Sequence, residues 1–204
     1  RTKIAKRILI SEALSRNAFK KFIHVNKDIF IRTLCLIFTL SFFTTQSANT
    51  SDTILAVNTL LFQFFYFFSY FVDGFAYAAE ALAGRYIGAG NRFMLSKVIR
   101  RLFTWGGAIA MIFSFIFWVG GDWILKLLTN DAATIQAADP FMFWVVLIPV
   151  ITFAAFIWDG IYVGATASKA MRNSMVIITT IIFLPAYYLL EPCMGNNGLW
   201  LAMM

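Results

Sequence analysis

Three acidic side chains fall in stretches otherwise too apolar to hold a charge: Asp73, Glu80 and Asp159. An acid at the centre of a bilayer costs about 2.5–3.5 kcal/mol on insertion scales, so such a group faces protein or a water-filled cavity. Carboxylates placed that way are candidates for binding a proton, a metal cation or a cationic substrate. Asp73 and Glu80 are seven residues apart, two helical turns, and project from one helix face. Asp73 and Asp159 are each followed by glycine, in VDGFAYAAEA and WDGIYVGATA. Each lies about 19 residues after its apolar stretch begins, roughly two thirds of the way across at 1.5 Å per residue. Two carboxylates at one level can share a cavity. The alternative for each is structural: it accepts hydrogen bonds from a neighbouring helix and never changes protonation.

Other polar groups offer less. Asn58 and Gln63 lie on the outer half of the same stretch as Asp73, as candidates for cavity lining or for binding helices together. His24 is the only histidine, and Cys35 and Cys193 are too far apart for a metal or redox spacing. No Ser/His/Asp set, metal cluster or phosphate-cradling loop is present; GRYIGAGN has the glycines but no Walker lysine in the required place. A membrane enzyme using Asp73 and Asp159 as an acid pair would also need a nucleophile or metal ligands. We therefore expect no catalytic residues, no metal and no cofactor beyond a coupling ion.

The elements that must carry these residues are membrane helices, and the expected fold is all-α, a transmembrane bundle of about six helices. The 204 residues are 60% hydrophobic and 13% charged, with mean hydropathy +0.75, against about 25% charged in a soluble domain. A helix needs about 20 apolar residues to cross a core of about 30 Å. Stretches 29–48, 54–87, 98–119, 140–165 and 171–190 meet that length, and another begins at 199. Residues 1–28, with Arg1, Lys3, Lys6, Arg7, Arg16, Lys20, Lys21 and Lys27, read as a basic linker at the membrane surface. Pro149 and Pro185 interrupt two spans as candidate bending points, and Gly106-Gly107 permits close helix approach.

Charge sets the expected orientation. The linker and the loops near 88–101 and 166–172 collect Arg92, Lys97, Arg100, Arg101, Lys169 and Arg172. The opposite loops hold Asp52, Asp122, Asp131, Asp139 and Glu191, with Lys126 as their base. The positive-inside rule makes the first side cytoplasmic, in a multi-pass inner (plasma) membrane protein. The same segregation accounts for the net charge of +7 without nucleic acid. The chain starts at Arg1 and stops in an apolar run, so both ends are expected to belong to something longer.

DGFAYAAEALAGRYIGAGN (73–91), WDGIYVGATASKAMRNSM (158–175) and VNKDIFIRT (25–33) resemble segments of the multidrug and toxic compound extrusion (MATE) family, in its DinF-like branch. The resemblance runs over about residues 22–204. It implies twelve spans in two six-helix lobes, this chain being the C-terminal lobe and the linker its connection to an N-terminal lobe. It also implies a secondary antiporter that exports organic, cationic compounds in exchange for H⁺ or Na⁺. Asp159 matches an acid that binds the ion in sodium-coupled relatives. Their second acid would fall near Cys35, in a span here without any acid, which favours protons. Two other readings are a lipid-linked saccharide flippase, which would need basic residues in the cavity where no span has one at its middle, and a non-transporting structural membrane subunit.

Overall fold

The computed structural model describes residues 16–204, with side chains from residue 26 onward. The first half of the basic linker, residues 1–15, and the side chain of His24 thus lie outside the described residues. The chain folds as α1 (Arg16–Thr50), α2 (Asp52–Gly88), α3 (Arg92–Leu128) and a short α4 (Ala132–Ala138). A 3-10 turn at Asp139–Phe141 leads into α5 (Met142–Gly164). Next come α6 (Ser168–Ile177), a π-helical segment (Ile178–Phe183), α7 (Leu184–Met194) and α8 (Asn196–Met203). Residues 16–28, expected as linker, continue into the first spanning helix. Among the described residues, five stretches are long and apolar enough to cross a membrane: Asn26–Thr50, Asp52–Gly88, Arg92–Leu128, Ala132–Gly164 and Ser168–Met194.

Short polar caps make the turns tight. Ser51 alone separates α1 from α2, and its hydroxyl accepts from the Ile54 amide at 3.1 Å. Asn91 accepts from the Met94 amide at 3.0 Å, after Gly90 has reversed the chain at φ +65°. Each satisfies an amide that the first turn of a helix leaves unpaired. The helices alternate in direction, so the starts of α1, α3 and α6 and the ends of α2 and α5 gather at one basic end. At 37 residues each, α2 and α3 would be about 55 Å long, well beyond a hydrocarbon core.

The largest interface joins α2 to α5, and α3 packs against the same α5. Glycine explains the first contact. A Cβ on Gly160 would strike the Ala76 carbonyl, and one on Gly164 the Glu80 carbonyl, so the two backbones touch directly. Gly84 lies against Gly164 on the same line. In lipid, small residues of this kind let backbones approach closely enough for dispersion to hold helices together. Toward the other end of the bundle buried aromatic rings interlock, with Phe64 edge-on to Phe117 at 5.1 Å and Phe43 edge-on to Trp200 at 5.1 Å. The outer surface is as apolar as the core: Trp118, Trp123 and Leu127 are 70%, 81% and 82% exposed, as suits a lipid-facing wall.

The two prolines expected as bending points, Pro149 and Pro185, sit inside helical stretches. Pro149 is buried within an unbroken α5, and the Ser114 hydroxyl of α3 donates to the Val146 carbonyl at 2.5 Å in the turn that the proline disturbs. A neighbouring helix thus supplies a donor there. Pro185 comes two residues after the π-helical segment. Its missing amide removes one i→i−4 bond just where the helix has loosened to i→i+5 pairing.

Candidate functional site

Near the basic end, α1, α2 and α5 bring three charged side chains together. Asp159 stands five residues before the end of α5, about 7.5 Å along the axis. The Arg32 guanidinium of α1 donates to its carboxylate in an ion pair that joins residues 127 apart in sequence. Both side chains keep some exposure, 23% for Arg32 and 37% for Asp159. Asp73 of α2 lies close enough to Asp159 for the two negative charges to repel, and it makes no hydrogen bond or ion pair with the described residues. The backbone seam fixes this placement. Ala76 meets Gly160 and Glu80 meets Gly164, so α2 and α5 run parallel with Asp159 level with Phe75, half a turn from Asp73.

Fully ionised, the cluster carries two carboxylates and one guanidinium, a net charge of −1. One proton or one monovalent cation would neutralise it. Glu80, two turns from Asp73 toward the basic end, is half-buried and without an ion pair among the described residues.

Sequence reasoning missed Arg32. Its position one turn inside an apolar stretch was a usable signal, because an arginine there needs an acidic partner at similar depth. It missed a second pair as well. Asp28, read as the end of the linker, is buried and accepts from Arg172 at 2.5 Å and from the Ser168 hydroxyl at 3.4 Å. The two pairs tie the basic end of α1 to α5 and to α6.

Asn58 and Gln63 separate. Gln63 is exposed on the outside of α2. Asn58 is buried at the other end of the bundle, and its amide is fully engaged. It donates to Ser47 and Asn196, both at 2.7 Å, and accepts from Asn196 at 3.1 Å and the Trp200 indole at 2.9 Å. Trp144 donates to Asn197 at 2.8 Å beside it. Asn58 therefore binds α1, α2 and α8 together. Among the described residues no group of His, Cys, Asp or Glu could hold a metal ion by itself.

The fold and this cluster define a multi-pass membrane helix bundle with ionisable groups inside it, the form taken by transport proteins. The MatE family model matches residues 29–189. The chain is also 35% identical to "DNA damage-inducible protein F" of Escherichia coli (strain K12) over 188 residues, which is 92% of this chain and 40% of that protein. It belongs to the MATE family, in the DinF-like branch, and members of that family are transporters. The chain spans about two fifths of the length of this curated relative. No solved structure matches it significantly.

Proposed function

We propose that this chain is the C-terminal lobe of a secondary antiporter exporting organic, cationic compounds in exchange for H⁺, with Na⁺ as the alternative coupling ion. Its N-terminal six-helix lobe would complete the central cavity. The basic end would face the cytoplasm and the bundle would sit in the inner membrane, as the positive-inside rule requires.

The observation that carries this reading is the Arg32–Asp159 pair beside an unpaired Asp73. A cluster of net charge −1 has room for one more positive charge. A proton on Asp73 and a substrate cation beside it compete for that vacancy, and such mutual exclusion is what exchange requires. Coupling then needs only that the two bundle conformations differ in affinity for the proton and for the cation. Arg32 supports protons over sodium, because Asp159 is already neutralised by a tethered cation. A flippase for lipid-linked saccharide would need a free cation beside the aspartates to hold a pyrophosphate, whereas the cation there, Arg32, is paired with Asp159.

The test uses the intact protein with Asp73→Asn and Asp159→Asn, assayed for resistance to cationic compounds across pH and for uptake into vesicles under H⁺ or Na⁺ gradients. We expect each variant to lose gradient-driven transport, and H⁺ alone to drive the parent. Full resistance with unchanged pH dependence would remove that aspartate from the mechanism.

A further inference from the structure

We propose that the groove between α2 and α3 at the basic end is a binding site for an anionic phospholipid of the adjacent leaflet. The groove encloses about 320 Å³. Its apolar walls are Phe75 and Leu82 of α2 with Val98 and Leu102 of α3. Lys97 and Arg101, one turn apart on α3, stand on its rim, and Tyr86 and Trp105 flank them.

Position along the helix argues for a headgroup. Residues 102–121 of α3 carry no charged side chain and are about the length that crosses a hydrocarbon core. Lys97 and Arg101 therefore sit just where the core gives way to phosphates. Tyrosine and tryptophan are the aromatic residues enriched at that level, and Trp105 is 66% exposed. The apolar walls below then lie at acyl-chain depth.

Charge argues for an anion. Between Glu80 and Asp122 the sequence holds Arg85, Arg92, Lys97, Arg100 and Arg101 and no acid. Among the described residues neither Lys97 nor Arg101 has an ion-pair partner, while the other cations of the site above, Arg32 and Arg172, are both paired. Glu80 cannot serve them, because it projects about 140° around α2 from Phe75, at 100° per residue. The neighbouring hollow between α3 and α5 holds a single cation, Arg100, and makes a weaker case. Basic pockets between spanning helices hold lipid headgroups, each cation contributing about a fivefold gain in binding.

The intact protein, purified in mild detergent and mixed with equal phosphatidylglycerol and phosphatidylcholine, is examined by native mass spectrometry. We expect preferential retention of phosphatidylglycerol, reduced about fivefold by Lys97→Gln or Arg101→Gln and roughly 25-fold by both. Leu82→Trp, which fills the groove and keeps both charges, is expected to lower retention as well; Met94→Trp at the rim asks the same question where the first variant does not fold. Lys126→Gln, at the opposite end of α3, is expected to change nothing. Three results overturn the site: equal retention of the two lipids, retention unaltered in the double variant or in both tryptophan variants, or displacement by millimolar glycerol phosphate, which would make it a plain anion site. A groove covered by another part of the protein belongs with the second result.

Discussion

Arg172, at the start of α6, holds the Asp28 carboxylate of α1 at 2.5 Å, although 144 residues separate them. The burial is lopsided: the Asp28 side chain is 2% exposed and that of Arg172 21%. Removing the arginine strands a buried carboxylate, at a cost of about 3–5 kcal/mol. Removing the aspartate frees a guanidinium that can still reach water, at about 1 kcal/mol. We therefore expect Arg172→Gln to melt well below Asp28→Asn, and the double variant to recover much of the loss. Thermal unfolding of the intact protein in detergent measures this, and equal melting of the two single variants would contradict it.

The glycine seam makes a sharper prediction. At position 160 a methyl group would overlap the Ala76 carbonyl, which is backbone and cannot swing away. At position 74, beside Asp73, an added methyl meets nothing within 4 Å. Gly160→Ala should destabilise by about 1–3 kcal/mol, the usual cost of overpacking, and should displace α5 from α2. Gly74→Ala should fold and transport normally. Comparing expression and melting temperature for the two separates a packing role from any general need for glycine after aspartate.

Replacing Asn58 by leucine keeps the branched heavy-atom shape of the side chain and removes the four hydrogen bonds it makes at the acidic end. The Trp200 indole and Asn196 amide lose their shared acceptor, and each stranded donor costs about 1–3 kcal/mol. The expected result is a fall in melting temperature and faster amide exchange in α8, with little change in affinity for the cationic substrates proposed above. A large affinity change with unaltered stability would instead put Asn58 at the cavity.

Asp131 gives a pH dependence outside the spans. The Thr134 hydroxyl, and after it the Ala133 amide, hold its carboxyl below the usual carboxylate range, with a smaller opposing push from burial. A carboxyl with a lowered folded pKa stabilises fully above its unfolded value, about pH 4, and loses that contribution as pH falls through the folded value. Protection of the Ala133 and Thr134 amides, taken as exchange relative to a free amide at the same pH, should hold at neutral pH and fall below about pH 4. Thr134→Val should shift that onset to higher pH, and Asp131→Ala should abolish it. An onset that Thr134→Val leaves in place would show that another group controls the fray.

Much of the architecture was legible because hydropathy is local. Among the described residues, the five full-length apolar stretches of the sequence each correspond to a helix long enough to cross a membrane, while the one beginning at 199 lies in the eight-residue α8; Asp73 and Asp159 stood out as acids inside such stretches. What stayed hidden depends on which helix faces which. The two Asp-Gly stretches look alike, yet Gly160 is a backbone contact and Gly74 is open. Asn58 and Gln63 look interchangeable as polar residues of one span. Five residues put them about 140° apart, so one faces the bundle and the other the outside. Arg32 went unremarked in the sequence and Asp28 fell at the end of the linker, because their partners lie 127 and 144 residues away on α5 and α6. The π-helical segment before Pro185 leaves no local signature beyond the proline itself.

Touching backbones have one more consequence. With carbonyls seated against glycines at two successive turns, α2 and α5 cannot slide past or roll around each other without tearing the seam open. They form a double-width strut, rigid along the stretch that carries both aspartates. In a cycle of the kind proposed above, the seam would hold the α2 and α5 backbones that carry Asp73 and Asp159 at one spacing. The guanidinium that offsets their charge, Arg32, comes from α1, a helix outside that seam.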